Sequence, residues 1–186
     1  MVGEPLAVDC VNDLASTLVV EYGTTPRTDA CLHLLDDGPA LVVSYGRGPN
    51  EIARAWASDG GGNRLRVLSA GVADADDLPD QVTVEAFASE DLASIGIALD
   101  EWLRTEGGHA DASVCLGAVD GLLSAVDRAT AFRFLHALCA RVARTDVRVH
   151  AHVGAGDRRA LTTVAPLFDR VLSHDGESWH RREPFP

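Results

Sequence analysis

A chain of 186 residues with 46% apolar side chains reads as one globular domain over 1–186, able to bury roughly 70% of its unfolded surface. Its 28 acidic and 16 basic side chains leave a net charge of −12, which argues against nucleic acid or an anionic membrane as the main partner, since both need dense positive charge. Every basic residue is arginine, so chemistries that need an amine, such as a phosphate-loop lysine or a Schiff base, are excluded.

Ahead of the first core strand lies an N-terminal segment, 1–16. A short helix over 2–14 would align Val8, Val11 and Leu14 as one apolar stripe, which could lie across a neighbouring copy or cover the chain's own sheet edge. Residues 17–22 (TLVVEY) predict a buried strand ended by Gly23, and 29–35 a short helix stopped by Asp36-Asp37-Gly38-Pro39. A second buried strand spans 40–45 (ALVVSY). A helix then opens at Pro49 with Ile52, Ala55 and Trp56 on one face. Strands at 64–69 and 81–86 flank an acidic loop, 74–80. Ser89 reads as an N-cap for a helix carrying Leu92, Ile95, Leu99, Trp102 and Leu103 at helical spacing, stopped by Gly107-Gly108. A strand at 112–116 and a short helix at 122–125 follow. A longer helix spans 129–144, with Phe132, Leu135, Cys139 and Val142 on its core face. The last elements are a strand at 147–153, a helix from the cap Asp157 to about Val164, and a hairpin, 169–173 and 178–182, around Asp175-Gly176. Strands apolar on both faces, alternating with helices, predict an α/β fold: a mostly parallel central sheet with helices on both faces and a C-terminal β-hairpin.

Asp outnumbers Glu, 19 to 9, and one Met and no Lys occur beside abundant Ala, Val, Arg and Gly. This composition points to a high-GC, salt-adapted cytoplasm, where dense Asp keeps a surface soluble under strong screening; GC drift alone would leave a similar bias. Cys10, Cys31, Cys115 and Cys139 contain no CxxC pair, and three of them lie in apolar runs. They read as buried thiols rather than a disulfide frame or a zinc site. Residues 1–13 lack the basic start and apolar core of a leader, and no apolar run reaches 18 residues. The expected location is cytoplasmic.

Ligands of such sheets bind at the carboxyl ends of strands, so the segment 23–30 is the first candidate. It has the length and place of a phosphate loop, G-x-x-x-x-G-K-[ST]. Gly23 matches the first glycine. Thr28 stands where the second glycine belongs, Asp29 where lysine would meet phosphate, and Ala30 where a hydroxyl would hold Mg²⁺. Reversing that charge opposes a triphosphate by about 4 kcal/mol per charge pair at about 4 Å and an effective dielectric near 20. Arg27 could restore an anion contact; an ordinary strand-to-helix turn is the plainer reading.

Four segments carry a resemblance: TLVVEYGTTPRTDACLHLL (17–35), LVVSYGRGPNEIARAW (41–56), SVCLGAVDGLLSAVDRATAFRFLHAL (113–138) and VRVHAHVGAGDRRALTTVAPLFDRVL (147–172). Together they resemble a reduced RecA/KaiC-like P-loop domain, in particular the short KaiC-like, "HTR-like" proteins of halophilic archaea. The resemblance implies a RecA/KaiC-like fold and a nucleotide site at Gly23, Arg27, Thr28 and Asp120. In an active relative the strand at 113–116 runs into an Asp that helps hold Mg²⁺; here Gly117 takes that place, with Asp120 three residues on. Asp120 either serves after a register shift or, more plainly, caps the next helix. The loop and the metal position depart from the family pattern together. The resemblance therefore implies a non-catalytic pseudo-ATPase, with no catalytic residues, cofactor or metal, acting as a signalling or regulatory module. Its partner would be a protein, itself or a KaiC-like paralogue. The alternative is an atypical ATPase using the degenerate loop.

His150 and His152 form an HxH pair whose side chains share one strand face, a legitimate metal pair if Asp157, Asp120 or His174 supplies a third ligand. Ordinary structural histidines are the plainer reading, and Cys115, mid-strand, reads as inert. The loop 154–159 could bind an anion through amides and arginines, or simply start a helix. His136 lies on the helix at 129–144, away from the loops.

Overall fold

Runs of Val and Leu become the interior of a single sheet. In the structure, a computed structural model, residues 5–6, 16–22, 31, 34–35, 38–58, 63–73, 75–109, 111–174 and 178–182 are described. The strands are β1 (Pro5–Leu6), β2 (Ser16–Glu21), β3 (Ala40–Tyr45), β4 (Leu65–Ala70), β5 (Val82–Phe87), β6 (Ser113–Ala118), β7 (Arg148–Gly154), β8 (Arg170–His174) and β9 (Trp179–Arg182). They lie in the order β1-β9-β8-β2-β7-β6-β3-β4-β5. From β8 to β5 every pairing is parallel; β8–β9 and β9–β1 are antiparallel, so the expected C-terminal hairpin is present.

The helices are α1 (Pro49–Ser58), α2 (Leu92–Thr105), α3 (Val119–Ala125), α4 (Arg128–Val142) and α5 (Arg158–Val164). Alternation along each strand sends its side chains to two faces. Leu18, Val20, Leu41, Val43, Val114 and Leu116 pack in one cluster with residues of α2, α3, α4 and α5. Val42, Val67 and Cys115 pack instead with Leu35 and with Ile52, Ala53 and Trp56 of α1. Both faces are covered, which is why these strands read as continuous apolar runs.

Three expectations need correction. The N-cap of α2 is Asp91, whose carboxylate accepts from the Ser94 N–H at 3.1 Å, while the Ser89 hydroxyl turns to Glu90. A carboxylate in the positive first turn outcompetes a hydroxyl two residues earlier. The core face of α4 is Ala131, Leu135, Leu138 and Val142; Cys139 is half-buried and Phe132 stacks on the exposed His136. At the N-terminus, Pro5 and Leu6 form a strand paired to β9 rather than part of a helix, and Val8, Val11 and Leu14 lie outside the described residues.

Among the described residues no helix is long and apolar enough to cross a membrane. Surface ion pairs such as Arg47–Glu51 and Arg141–Asp100 add little stability, and they leave the net charge of −12 unchanged. Self-repulsion is therefore expected to weaken the fold in dilute buffer, and Tm should rise steadily between low salt and about 2 M KCl, where screening is nearly complete. A melting curve that stays flat or falls across that range contradicts salt adaptation.

Candidate functional site

Parallel register gathers the chemistry. His150 and His152 alternate onto one face of β7, which lies between β2 and β6. Cys115 of β6 stands directly opposite His150, and Val19 of β2 opposite His152, so these residues share that face. Glu21, two residues beyond Val19, points the same way. Cys31 is helical and comes down onto this face from the segment that follows β2.

The four side chains Cys31, Cys115, His150 and His152 form one group whose ligand atoms all lie within 4.8 Å of one another. The Cys31 and Cys115 sulfurs are 3.1 Å apart, and Cys31 Sγ lies 3.5 Å from His150 Nε2. The two imidazoles meet edge-on, with ring centres 5.1 Å apart and planes at 84°. His152 Nδ1 is 2.8 Å from Glu21 Oε1, and both side chains are buried. A carboxylate on that side keeps a proton on Nδ1 and turns Nε2 toward the cluster. Nε2 is buried and makes no hydrogen bond of ordinary geometry among the described residues. A cavity of about 30 Å³ touches Glu21, Cys31, Cys115 and His152, with Ser44 and Arg47 on its wall.

Electrostatics separates the four groups. The Cys31 thiol is held well below its ordinary range, first by the hydrogen bond with Cys115 and then by the two imidazoles. Burial pushes Cys115 up, and its neighbour Cys31 adds to the shift. Burial also lowers His150. At His152 burial pulls downward, but Cys31 and Glu21 together outweigh it and lift the ring to about 9.

Of the expected nucleotide positions, Gly23, Arg27 and Thr28 lie outside the described residues. Asp120 sits in the first turn of α3 and does not cap it: Ala118 occupies the cap, without a side-chain bond. The Asp120 carboxylate instead accepts from the Gly154 N–H at 2.8 Å, tying α3 to the end of β7. Burial raises its pKa, the Gly154 N–H opposing. The expected third ligands also go elsewhere. Asp157 caps α5 by accepting from Ala160 N, so the loop 154–159 is a helix start, and His174 packs on Trp179. The companions of the HxH pair are Cys31 and Cys115, read from the sequence as inert thiols. Their signal was weak, a Cys one residue past the loop at 23–30 and another mid-strand, 84 residues on.

Fold and site define a mostly parallel α/β domain with thiols and imidazoles gathered on one sheet face. The chain belongs to the family of unknown function DUF7504, whose model matches residues 15–174. No curated protein matches it. Matching solved chains number 110, so the scaffold is widely shared and does not by itself specify an activity. One is a Pyrococcus horikoshii OT3 protein described as a structural study. It is 11% identical, with a TM-score of 0.57, over 88% of this chain and 83% of its own, a likeness of fold alone.

Proposed function

We propose that this chain is a non-catalytic KaiC-like domain, a pseudo-ATPase serving as a signalling or regulatory protein-interaction module. Gly117 carries the reading. It stands where the resemblance calls for a metal-holding aspartate, at a register shift between β6 and β7. A Cβ there would lie 2.9 Å from the Val43 carbonyl oxygen and 3.4 Å from Ser44 Cα. Both are backbone atoms of the neighbouring strand, so no rotamer change makes room. Asp29 and Ala30, in place of lysine and a hydroxyl, support the same conclusion. On this reading the domain takes no cofactor and works in the cytoplasm of a salt-adapted archaeon. It binds a second copy or a KaiC-like paralogue, not nucleic acid or membrane.

Titration of ATP–Mg²⁺ into the protein in high salt is expected to give no saturable heat and no phosphate release. Gly117→Asp should restore neither and should lower Tm, because the added carboxylate meets backbone. Saturable binding with turnover overturns the proposal. Sedimentation across a concentration series, alone and with a KaiC-like paralogue, tests the partner; a chain that stays monomeric in both loses the interaction role. The second reading, an atypical ATPase, is favoured by Asp120, whose Oδ1 is buried without a hydrogen-bond partner among the described residues, at the sheet's carboxyl end. Turnover lost in Arg27→Ala with Asp120→Ala would select it.

A further inference from the structure

We propose that Cys31, Cys115, His150 and His152 form a binding site for one zinc ion, tying Cys31 to the sheet. Its existence does not depend on the role proposed above.

The donor set is the first argument. Two sulfurs and two imidazole nitrogens, all within 4.8 Å, are the ligands of a closed tetrahedral zinc site. Zinc–sulfur bonds of about 2.3 Å and zinc–nitrogen bonds of about 2.0 Å set tetrahedral ligands about 3.3–3.8 Å apart. The Cys31–His150 separation of 3.5 Å falls in that range, and the Cys31–Cys115 separation of 3.1 Å needs a small opening. Harder ions prefer oxygen donors, and none of the four ligands offers one.

The surroundings are the second argument. Glu21 stands behind His152 at 2.8 Å, the carboxylate–histidine arrangement that orients a metal ligand and raises its basicity. The Nε2 atom it directs inward is buried with no hydrogen bond of ordinary geometry among the described residues, a cost that a metal bond removes. Charge balances too. Binding releases two protons from the cluster to solvent, leaving two thiolates and two neutral imidazoles; the thiolates offset the 2+ ion, and no electron moves. Cys115 and both histidines are fixed by sheet register, whereas Cys31 comes from outside the sheet. The ion thus joins a rigid half-site to the segment that carries Cys31.

Metal analysis of protein purified with zinc and a thiol reductant should find one zinc per chain. Chelator-stripped protein should bind Co²⁺ with the intense visible bands and near-ultraviolet thiolate charge transfer of a tetrahedral site, and its Tm should rise when zinc is returned. Cys31→Ser and His152→Gln should weaken zinc binding more than about 100-fold, beyond what losing a group behind a ligand costs. Cys139→Ser, away from the cluster, should bind as wild type does. Because Cys31 lies outside the sheet, its variant also reports if His152→Gln fails to fold. The proposal is overturned by sub-stoichiometric zinc, by the pale spectrum of six-coordinate cobalt, by unchanged affinity in Cys31→Ser, or by a Cys31–Cys115 disulfide in freshly purified reduced-buffer protein.

Discussion

Trp102→Ala is expected to destabilise the domain by about 3–5 kcal/mol, the usual loss for a buried tryptophan, and to lower Tm by about 6–20 °C. Trp102 is 3% exposed and lies with Ile95, Leu99 and Leu103 in the face of α2 that packs on the sheet. Removing the indole leaves a cavity that the strands beneath, held in register on both sides, cannot collapse to fill. Ile97 on the same helix is 70% exposed, and Ile97→Ala should change stability by less than about 0.5 kcal/mol. Denaturant unfolding of both variants at high salt compares them directly. If Trp102→Ala is no worse than Ile97→Ala, the docking of α2 described above is wrong.

Glu21→Ala should be nearly as damaging, at about 3–5 kcal/mol in metal-free protein, because truncating one side of a buried ion pair strands the other. The Glu21 and His152 side chains are 8% and 4% exposed and meet at 2.8 Å. Without the carboxylate, the Nδ1 N–H of a buried ring loses its acceptor. Glu21→Gln keeps the shape and an acceptor oxygen, so its loss should be clearly smaller. In zinc competition both variants should bind about 10–100-fold more weakly, through misorientation of His152. Urea unfolding in chelator separates the two effects. A Glu21→Ala protein as stable as wild type would show that the pair contributes nothing.

Much of this architecture is written locally. ALVVSY predicts a strand at 40–45 and forms β3 with the same bounds; TLVVEY and the hairpin around Asp175-Gly176 fall within a residue or two of β2, β8 and β9. A run of β-branched residues bounded by Gly or Asp needs no distant information. The start of α2 was read two residues early because Ser89 and Asp91 both suit a cap, and only the geometry shows which carboxylate or hydroxyl reaches Ser94 N. The cluster was legible by half. HxH announces itself, since alternation alone puts both rings on one face. Its partners do not, because Cys115 reaches His150 only through the adjacency of β6 and β7, and Cys31 only through its tertiary contact with both strands. Spacing in the sequence carries neither fact. The capping reading of Asp120 fails for the same reason: its partner, the Gly154 N–H, lies 34 residues away.

The position of β2 governs how this chain must be born. All six of its residues are buried, and it is flanked by β7 and β8, near the far end of the sequence. The Ser16 hydroxyl donates to an Asp169 oxygen 153 residues later. At translation speeds of about 5–20 residues per second, β2 waits about 8–30 s for its neighbours. Meanwhile β3, β4 and β5 pair in sequence order and can close a first subdomain behind it. The nascent domain therefore carries an unsatisfied apolar strand until β7 and β8 emerge, and aggregation threatens it most in that interval.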